Sequence, residues 1–287
     1  MDSKKQTQFA TMAAQARRDI VRMVGAVQSG HPGGSLSSTD FLTVLFSDVL
    51  RQSASTFTRD AKGADAFILS AGHITPIYYS LLSLNGYIER DELATFRKFG
   101  TRLQGHPCIH GGVKGITQVS GSLGQGLSCA AGLALAKKMD KEDRKVYVLV
   151  GDGESEEGQI WEAGIFAAHH QLDNLIAMTD WNGQQIDGPV EQVGGMGDLK
   201  AKWEAFGWNV VVCEDGHDYA QICAAFEAAA AASGKGKPVM ILFKTDMGHG
   251  IDFMAGTHKW HGKAPSAEQV EQALAQLPET EYGDFKF

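Results

Sequence analysis

Two short stretches of the chain carry hard oxygen ligands. Gly151-Asp152-Gly153 sets a carboxylate between two glycines, and Asp180-Trp181-Asn182-Gly183 offers an amide oxygen before a third. Oxygens of Asp152 and Asn182 suit Mg²⁺ or Ca²⁺, with a phosphate-bearing ligand completing an octahedron. The same residues also suit a helix cap and a turn, so residue chemistry leaves both readings open. Histidines stand at 31, 73, 106, 110, 169, 170, 217, 249, 258 and 261. Most fall in glycine-rich loops, several after strands, and imidazole is the natural proton carrier near neutral pH. Any one of them is ordinary; several meeting at one sheet rim would form a site. His258 and His261 have a spacing that a metal could use, but the sequence offers no third close ligand and no HExxH pattern. Gly121 to Gly126 could present backbone N–H groups to a phosphate or a heterocycle. No Walker A pattern occurs.

These residues need elements to hold them. Val146 to Val150 is an unbroken apolar run and reads as a strand buried on both faces. Leu175 to Thr179 is a second strand, and the helix between them has Ile160, Trp161, Gly164, Ile165 and Ala168 on one expected face. A right-handed crossover makes the two strands parallel. Asp152 and Asn182 then sit just past adjacent carboxyl ends, where open α/β sheets bind ligands. Further strands are expected at 66–69, 208–212 and 239–244. Helices are expected at 9–27, 37–50, 75–84, 127–138, 219–232 and 265–277. His31 is placed in a Gly/Pro loop over 29–35, and the last residues are expected to fray. The pattern predicts an α/β fold, a doubly wound, mostly parallel sheet with helices on both faces, in a single domain spanning 1–287.

Composition narrows the function. The chain has 287 residues, 43% hydrophobic and 21% charged, with 34 acidic against 26 basic residues and a net charge of −8. Nucleic-acid and anionic-membrane surfaces need clustered Lys and Arg, so neither partner is expected. A small phosphorylated ligand needs only a local pocket. The four cysteines show no CxxC spacing, which points to reduced thiols. With no signal-peptide core and no apolar run of membrane-spanning length, a cytoplasmic protein is expected.

The stretches GDGESEEGQIWEAG and LDNLIAMTDWNGQQIDG together resemble the thiamine-diphosphate motif of transketolases. SGHPGG at 29–34, LSAGHITPIYY at 69–79, GHP at 105–107, GSLGQG at 121–126 and HKWHG at 258–262 resemble the same family, in the family's order. The resemblance is to the N-terminal, diphosphate-binding half. It implies that Asp152, the Asn182 side chain and the Gln184 carbonyl ligate Mg²⁺, with Ca²⁺ or Mn²⁺ able to substitute. It further implies that Gly153 contacts the diphosphate of thiamine diphosphate and that Gly121 and Leu123 contact its aminopyrimidine. His73, Lys244 and His258 resemble cofactor-contacting positions. His31, His106 and His258 would line the substrate channel, binding sugar hydroxyls and moving protons. Glu157 and Glu162 match acidic positions that connect active sites through the subunit interface.

Two departures stand out. Trp181 replaces a residue that is usually small and polar in the family. The chain also ends before the second domain, which supplies the glutamate and aromatic residues that hold the pyrimidine ring. The resemblance therefore implies the N-terminal subunit of a split transketolase, working with a C-terminal subunit that supplies the pyrimidine-binding domain, as a heterotetramer of two of each chain. Its expected reaction moves a two-carbon ketol unit from a ketose to an aldose, as sugars or sugar phosphates, in pentose phosphate metabolism. The alternatives are a component of another thiamine-diphosphate enzyme, such as a 1-deoxyxylulose-phosphate synthase-like half or a 2-oxo-acid dehydrogenase or decarboxylase, or a non-catalytic assembly subunit. The histidine set favours sugar ketol transfer over the first, and the intact Asp152, Gly153 and Asn182 argue against the second.

Overall fold

The computed structural model describes residues 2–287. The chain opens with α1 (Ser3–Val27), followed by α2 (Pro32–Ser37) and α3 (Thr39–Val44), which runs on as a π-helical turn over 45–49. The long helix expected over 37–50 is thus interrupted at Ser38. The 29–35 segment is likewise not all loop. Pro32, with its φ fixed for a helix start, opens α2, and His31 occupies the N-cap position. Next come β1 (Ala66–Leu69), α4 (Thr75–Leu84), α5 (Gln125–Met139), β2 (Val146–Gly151), α6 (Gly158–His169) and β3 (Leu175–Trp181). A small hairpin pairs β4 (Gln184–Gln185) with β5 (Gly188–Pro189) and leads to α7 (Val190–Val193). The chain then forms α8 (Leu199–Ala205), β6 (Asn209–Cys213), α9 (Tyr219–Ala232), β7 (Val239–Lys244) and α10 (Ala267–Gln276).

Five strands form one parallel sheet in the order β1-β2-β3-β7-β6. Alternate residues feed two apolar layers, as the period of two requires. Val146, Val148 and Val150 point into the layer shared with α5, α6 and α8, while Tyr147 and Leu149 point into the layer shared with α1, α3, α4 and α9. The sheet is therefore covered on both faces, as the apolar strands demand. Helix α6 is rotated from the expected face. Its buried stripe is Ile160, Ala163, Gly164 and Ala167, and Ile165 is 59% exposed. The close packing of Gly164 on Trp203, where a Cβ would stand 3.1 Å from the ring, sets that rotation. No helix among the described residues is long and apolar enough to cross a membrane.

The tail is tied down rather than frayed. Asp284 pairs with Arg18 at 2.7 Å, and Phe285 is 2% exposed with Arg22 4.9 Å over its ring. Beneath the loop after β7, Asp40 accepts from Arg17, His217 and Tyr219. His217 Nε2 accepts from the Asp246 N–H at 3.0 Å, so Nδ1 carries the proton and donates to Asp40. Both nitrogens of His217 are spent, and its ring stacks flat on His249 at 3.5 Å. Asp40, His217 and His249 therefore form a brace for the 245–250 loop and not a metal centre.

Candidate cofactor and substrate site

A cavity of about 460 Å³ opens at the carboxyl ends of β1, β2 and β3, beside the loop that follows β7. On its floor, Asp152 is 2% exposed. Its Oδ1 accepts from Gly153 N at 2.8 Å, and its Oδ2 accepts from Gly183 N at 2.6 Å. Asn182 follows from β3, and its amide is oriented by Asp180. Asp180 accepts from Asn182 Nδ2 at 2.9 Å, from Ser37 Oγ at 2.6 Å and from Thr245 Oγ1. An amide N–H₂ facing a carboxylate fixes the other end as oxygen, and Asn182 Oδ1 accepts from Gln184 N at 2.9 Å.

These groups fit a divalent cation. Burial, and after it the charge of Asp180, pushes the Asp152 carboxyl up to about 8. Among the described residues no Lys or Arg pairs with Asp152 or Asp180; the ion pairs all lie elsewhere. Two adjacent buried carboxylates without a counter-ion are costly, and a cation among Asp152, Asn182 and the Gln184 carbonyl relieves that cost. The donors are all oxygen, as Mg²⁺ or Ca²⁺ prefers.

The walls are built from close backbone. Gly121 has φ 146°, and a Cβ there would meet the His106 ring at 3.3 Å. A Cβ on Gly153 would stand 2.9 Å from Gln185 Cβ. Glu154, which sequence reasoning missed, binds three cavity-forming segments together. Its carboxylate accepts from Ser70 Oγ after β1, from Gly124 N at 2.8 Å before α5, and from Gly151 N at 3.0 Å at the end of β2. It lies within the acidic run Glu154-Ser155-Glu156-Glu157, which in sequence looks like a solvated charged surface. In Glu154→Gln, an amide N–H₂ must face one of these donors. A buried donor left unpaired costs about 1–3 kcal/mol. We expect a lower Tm and weaker cofactor binding in thermal denaturation and titration calorimetry. A variant matching the wild type in both would remove Glu154 from this role.

Imidazoles form the upper wall. The rings of His31, His73 and His261 lie 5.1, 5.7 and 5.0 Å apart between centroids. His106 completes the group beside Gly121. Burial lowers all four: His31 to about 4, helped by His261; His73 well below its ordinary value; His106, helped by Arg97; and His261. Neutral rings result, and Nδ1 of both His31 and His261 is buried without a partner. Such rings can accept or donate a hydrogen bond to a polar ligand.

Of the residues singled out in the sequence, His31, His73, His106, Gly121, Leu123, Asp152, Gly153, Glu157, Asn182 and Gln184 line this cavity. Three do not. Lys244 turns away to pair with Glu214 and lies 5.5 Å over the Trp181 ring. The residue after β7 that reaches the cavity is Met247. His258 stands at the start of the 3₁₀ turn 258–260, and His261, just past that turn, supplies the ring in the cluster. Glu162 lies on the exposed side of α6, in a groove with Gly132 and Phe166. Trp181 packs on the α5/α6/α8 layer and does not line the cavity, which explains how a bulky residue is accommodated beside Asn182.

Comparison with known proteins gives a consistent result. Residues 10–286 match the family described as transketolase, thiamine diphosphate binding domain. The chain is 38% identical over 263 residues to an apulose-4-phosphate transketolase subunit of Phocaeicola vulgatus, covering 92% of this chain and 91% of that protein. It is 39% identical over 275 residues to the 6-deoxy-6-sulfo-D-fructose transketolase subunit SqwG of a Clostridium species, covering 96% and 98%. Human transketolase is 35% identical over 282 residues, which are 96% of this chain and 43% of that protein. A solved transketolase from Leishmania mexicana superposes with a TM-score of 0.88 at 30% identity, covering 97% of this chain and 42% of that one. On sequence, fold and the arrangement of the cavity, this chain belongs to the transketolase family, as a protein of its thiamine-diphosphate-binding domain.

Proposed function

We propose that residues 1–287 form one thiamine-diphosphate-binding unit that serves as the N-terminal subunit of a two-chain transketolase. The observation that carries this reading is the meeting, in one cavity, of an all-oxygen cation site and four neutral imidazoles. When bound, thiamine diphosphate would supply the carbon centre that carries the two-carbon ketol unit from a donor ketose, released as a shorter aldose, to an acceptor aldose. Asp152, Asn182 and the Gln184 carbonyl hold Mg²⁺, and Gly153 admits the diphosphate to the backbone. Gly121 and Leu123 receive the aminopyrimidine. His31, His73, His106 and His261 bind sugar hydroxyls, and the open Nδ1 positions of His31 and His261 hold or pass a proton. Lys244, His258 and Glu162 have no direct part in this cavity.

The reading needs a second chain. Among the described residues, the cavity wall contains no aromatic side chain on which a pyrimidine ring could stack, apart from the imidazoles. A C-terminal partner chain supplies that half, seated where Leu123, Glu157 and the exposed side of α6 with Glu162, Ile165 and Phe166 face outward. Sugars or sugar phosphates are the substrates, in the cytoplasm, with two copies of each chain in the assembly. Purified alone with thiamine diphosphate and Mg²⁺, the chain is expected to show no ketol transfer in a coupled assay, with activity appearing on addition of a C-type transketolase chain. Robust turnover by the lone chain would overturn the two-chain reading.

A further inference from the structure

Among the described residues, Arg97 is a cation with which no carboxylate pairs. It follows the 3₁₀ turn 90–95 and has φ 55°, a left-handed conformation uncommon for a residue with a side chain. Its Nη1 donates to Ser29 Oγ at 3.0 Å, and its Nη2 donates to the Gly105 carbonyl at 3.4 Å. Ser29 is two residues before His31, and Gly105 is immediately before His106. The guanidinium is pressed against Gly105 so closely that a Cβ there would stand 2.6 Å from Cζ. Its Nε is buried without a partner. Other arginines packed into the fold all face an acid: Arg17 faces Asp40, Arg18 faces Asp284, and Arg90 faces Asp19. Among the described residues Arg97 has none. Leaving a half-buried charge uncompensated costs stability, so its position between two histidine-bearing loops calls for a functional account.

We propose that Arg97 is a positioning residue for His31 and His106: its planar fork sets the spacing of the two loops, and its unanswered charge disfavours a second cation on either ring. Both rings are then kept as hydrogen-bond acceptors for substrate hydroxyls. A lysine in its place keeps the charge but loses the fork.

The surroundings of both rings support this. His31 is faced by the rings of His73 and His261, and the Arg97 charge acts on it as a like charge would, after burial and His261. His106 is faced by Gly121, and Arg97 is the charge that acts on it after burial. The cavity carboxylates, Asp152, Glu154, Glu156, Glu157 and Asp180, come from the segment just after β2 and from β3, and among the described residues none bonds to either ring. Among the described residues, no acid offsets Arg97 at these imidazoles.

The role given to the two rings rests on the proposed ketol transfer; the tie to Arg97 does not. The decisive experiment is an NMR titration of ring signals in the full chain, assigned with His31→Gln and His106→Gln, for wild type, Arg97→Lys and Arg97→Met. In Arg97→Met both midpoints are expected to rise by about one pH unit, and in Arg97→Lys to stay near the wild-type values. In the enzyme assembled with its partner, Arg97→Lys should lower kcat/KM about tenfold through loss of the fork, with cofactor affinity unchanged. Equal midpoints in all three proteins would overturn the proposal, as would a Lys variant with wild-type kcat/KM. Should Arg97→Met not fold, the wild-type and Lys titrations decide: a midpoint raised in the Lys variant rejects the role of charge. Absence of ketol transfer in the assembled wild type would sink the functional reading and leave the titration standing as the test of Arg97.

Discussion

Asp152→Ala in the assembled enzyme is expected to abolish Mg²⁺-dependent binding of thiamine diphosphate. Asp152 is the only carboxylate in the proposed ligand set; Asn182 and the Gln184 carbonyl are neutral. Removing one partner of a buried charge pair costs about 3–5 kcal/mol, so affinity should fall by about 10²–10⁴-fold. Asp152→Asn should do nearly as much while preserving shape, which separates loss of charge from loss of packing. The carboxyl has its own signature. Its ordinary value is 3.8, and burial followed by the Asp180 charge raises it to about 8, so near neutral pH the cation-free site holds a proton. The protonated form is favoured in the folded state, so its stabilising contribution is complete below 3.8 and is lost as pH rises through about 8. A metal ion that occupies the site near neutral pH must displace that proton. Calorimetry at pH 7 in buffers of different ionisation heat should show proton release in the wild type and none in Asp152→Asn. Unchanged affinity in the two variants would refute the ligand assignment.

The parts of this site that are legible in sequence are those fixed by local chemistry. β2 and β3 are apolar runs that read as strands of a buried sheet, and each is followed by a polar residue next to a glycine, so Asp152 and Asn182 can be placed from the chain alone. Asp180 cannot. It is one residue from the end of an apolar strand, and its role depends on Ser37, 143 residues away, and Thr245, 65 away. Glu154 is hidden for a different reason: it lies in an acidic run that reads as surface, and only the fold shows its carboxylate turned inward to three donors. Arg97 sits in a polar segment, and nothing in its neighbourhood in the sequence reveals that its fork spans two distant loops. The face of α6 is misread because Ile165 is apolar, whereas the helix is turned by the fit of Gly164 against Trp203. An outward Ile165 beside Phe166 is consistent with a surface meant for another chain.

The assignment within the HKWHG segment gives the second large effect. His261→Ala is expected to reduce kcat/KM by about 10²–10³-fold in the assembled enzyme, and His258→Ala to leave it within about threefold. Sequence resemblance alone points to His258, since the two histidines stand three residues apart in one short motif. The geometry of the turn between them supports His261 instead. Trp260 is buried and its Nε1 donates to the Phe253 carbonyl at 2.8 Å, which anchors the 3₁₀ turn independently of either histidine. The His261 N–H closes that turn on the His258 carbonyl at 2.8 Å, a backbone bond that survives both substitutions. The chain leaving the turn then directs His261 to within 5.0 Å of His73 and 5.7 Å of His31, ring to ring. Because the anchor is the same for both variants, a difference between them reports on the rings and not on folding. Steady-state kinetics with matched cofactor affinity is the measurement. Greater damage from His258→Ala would mean that this imidazole cluster is not the one that meets the substrate.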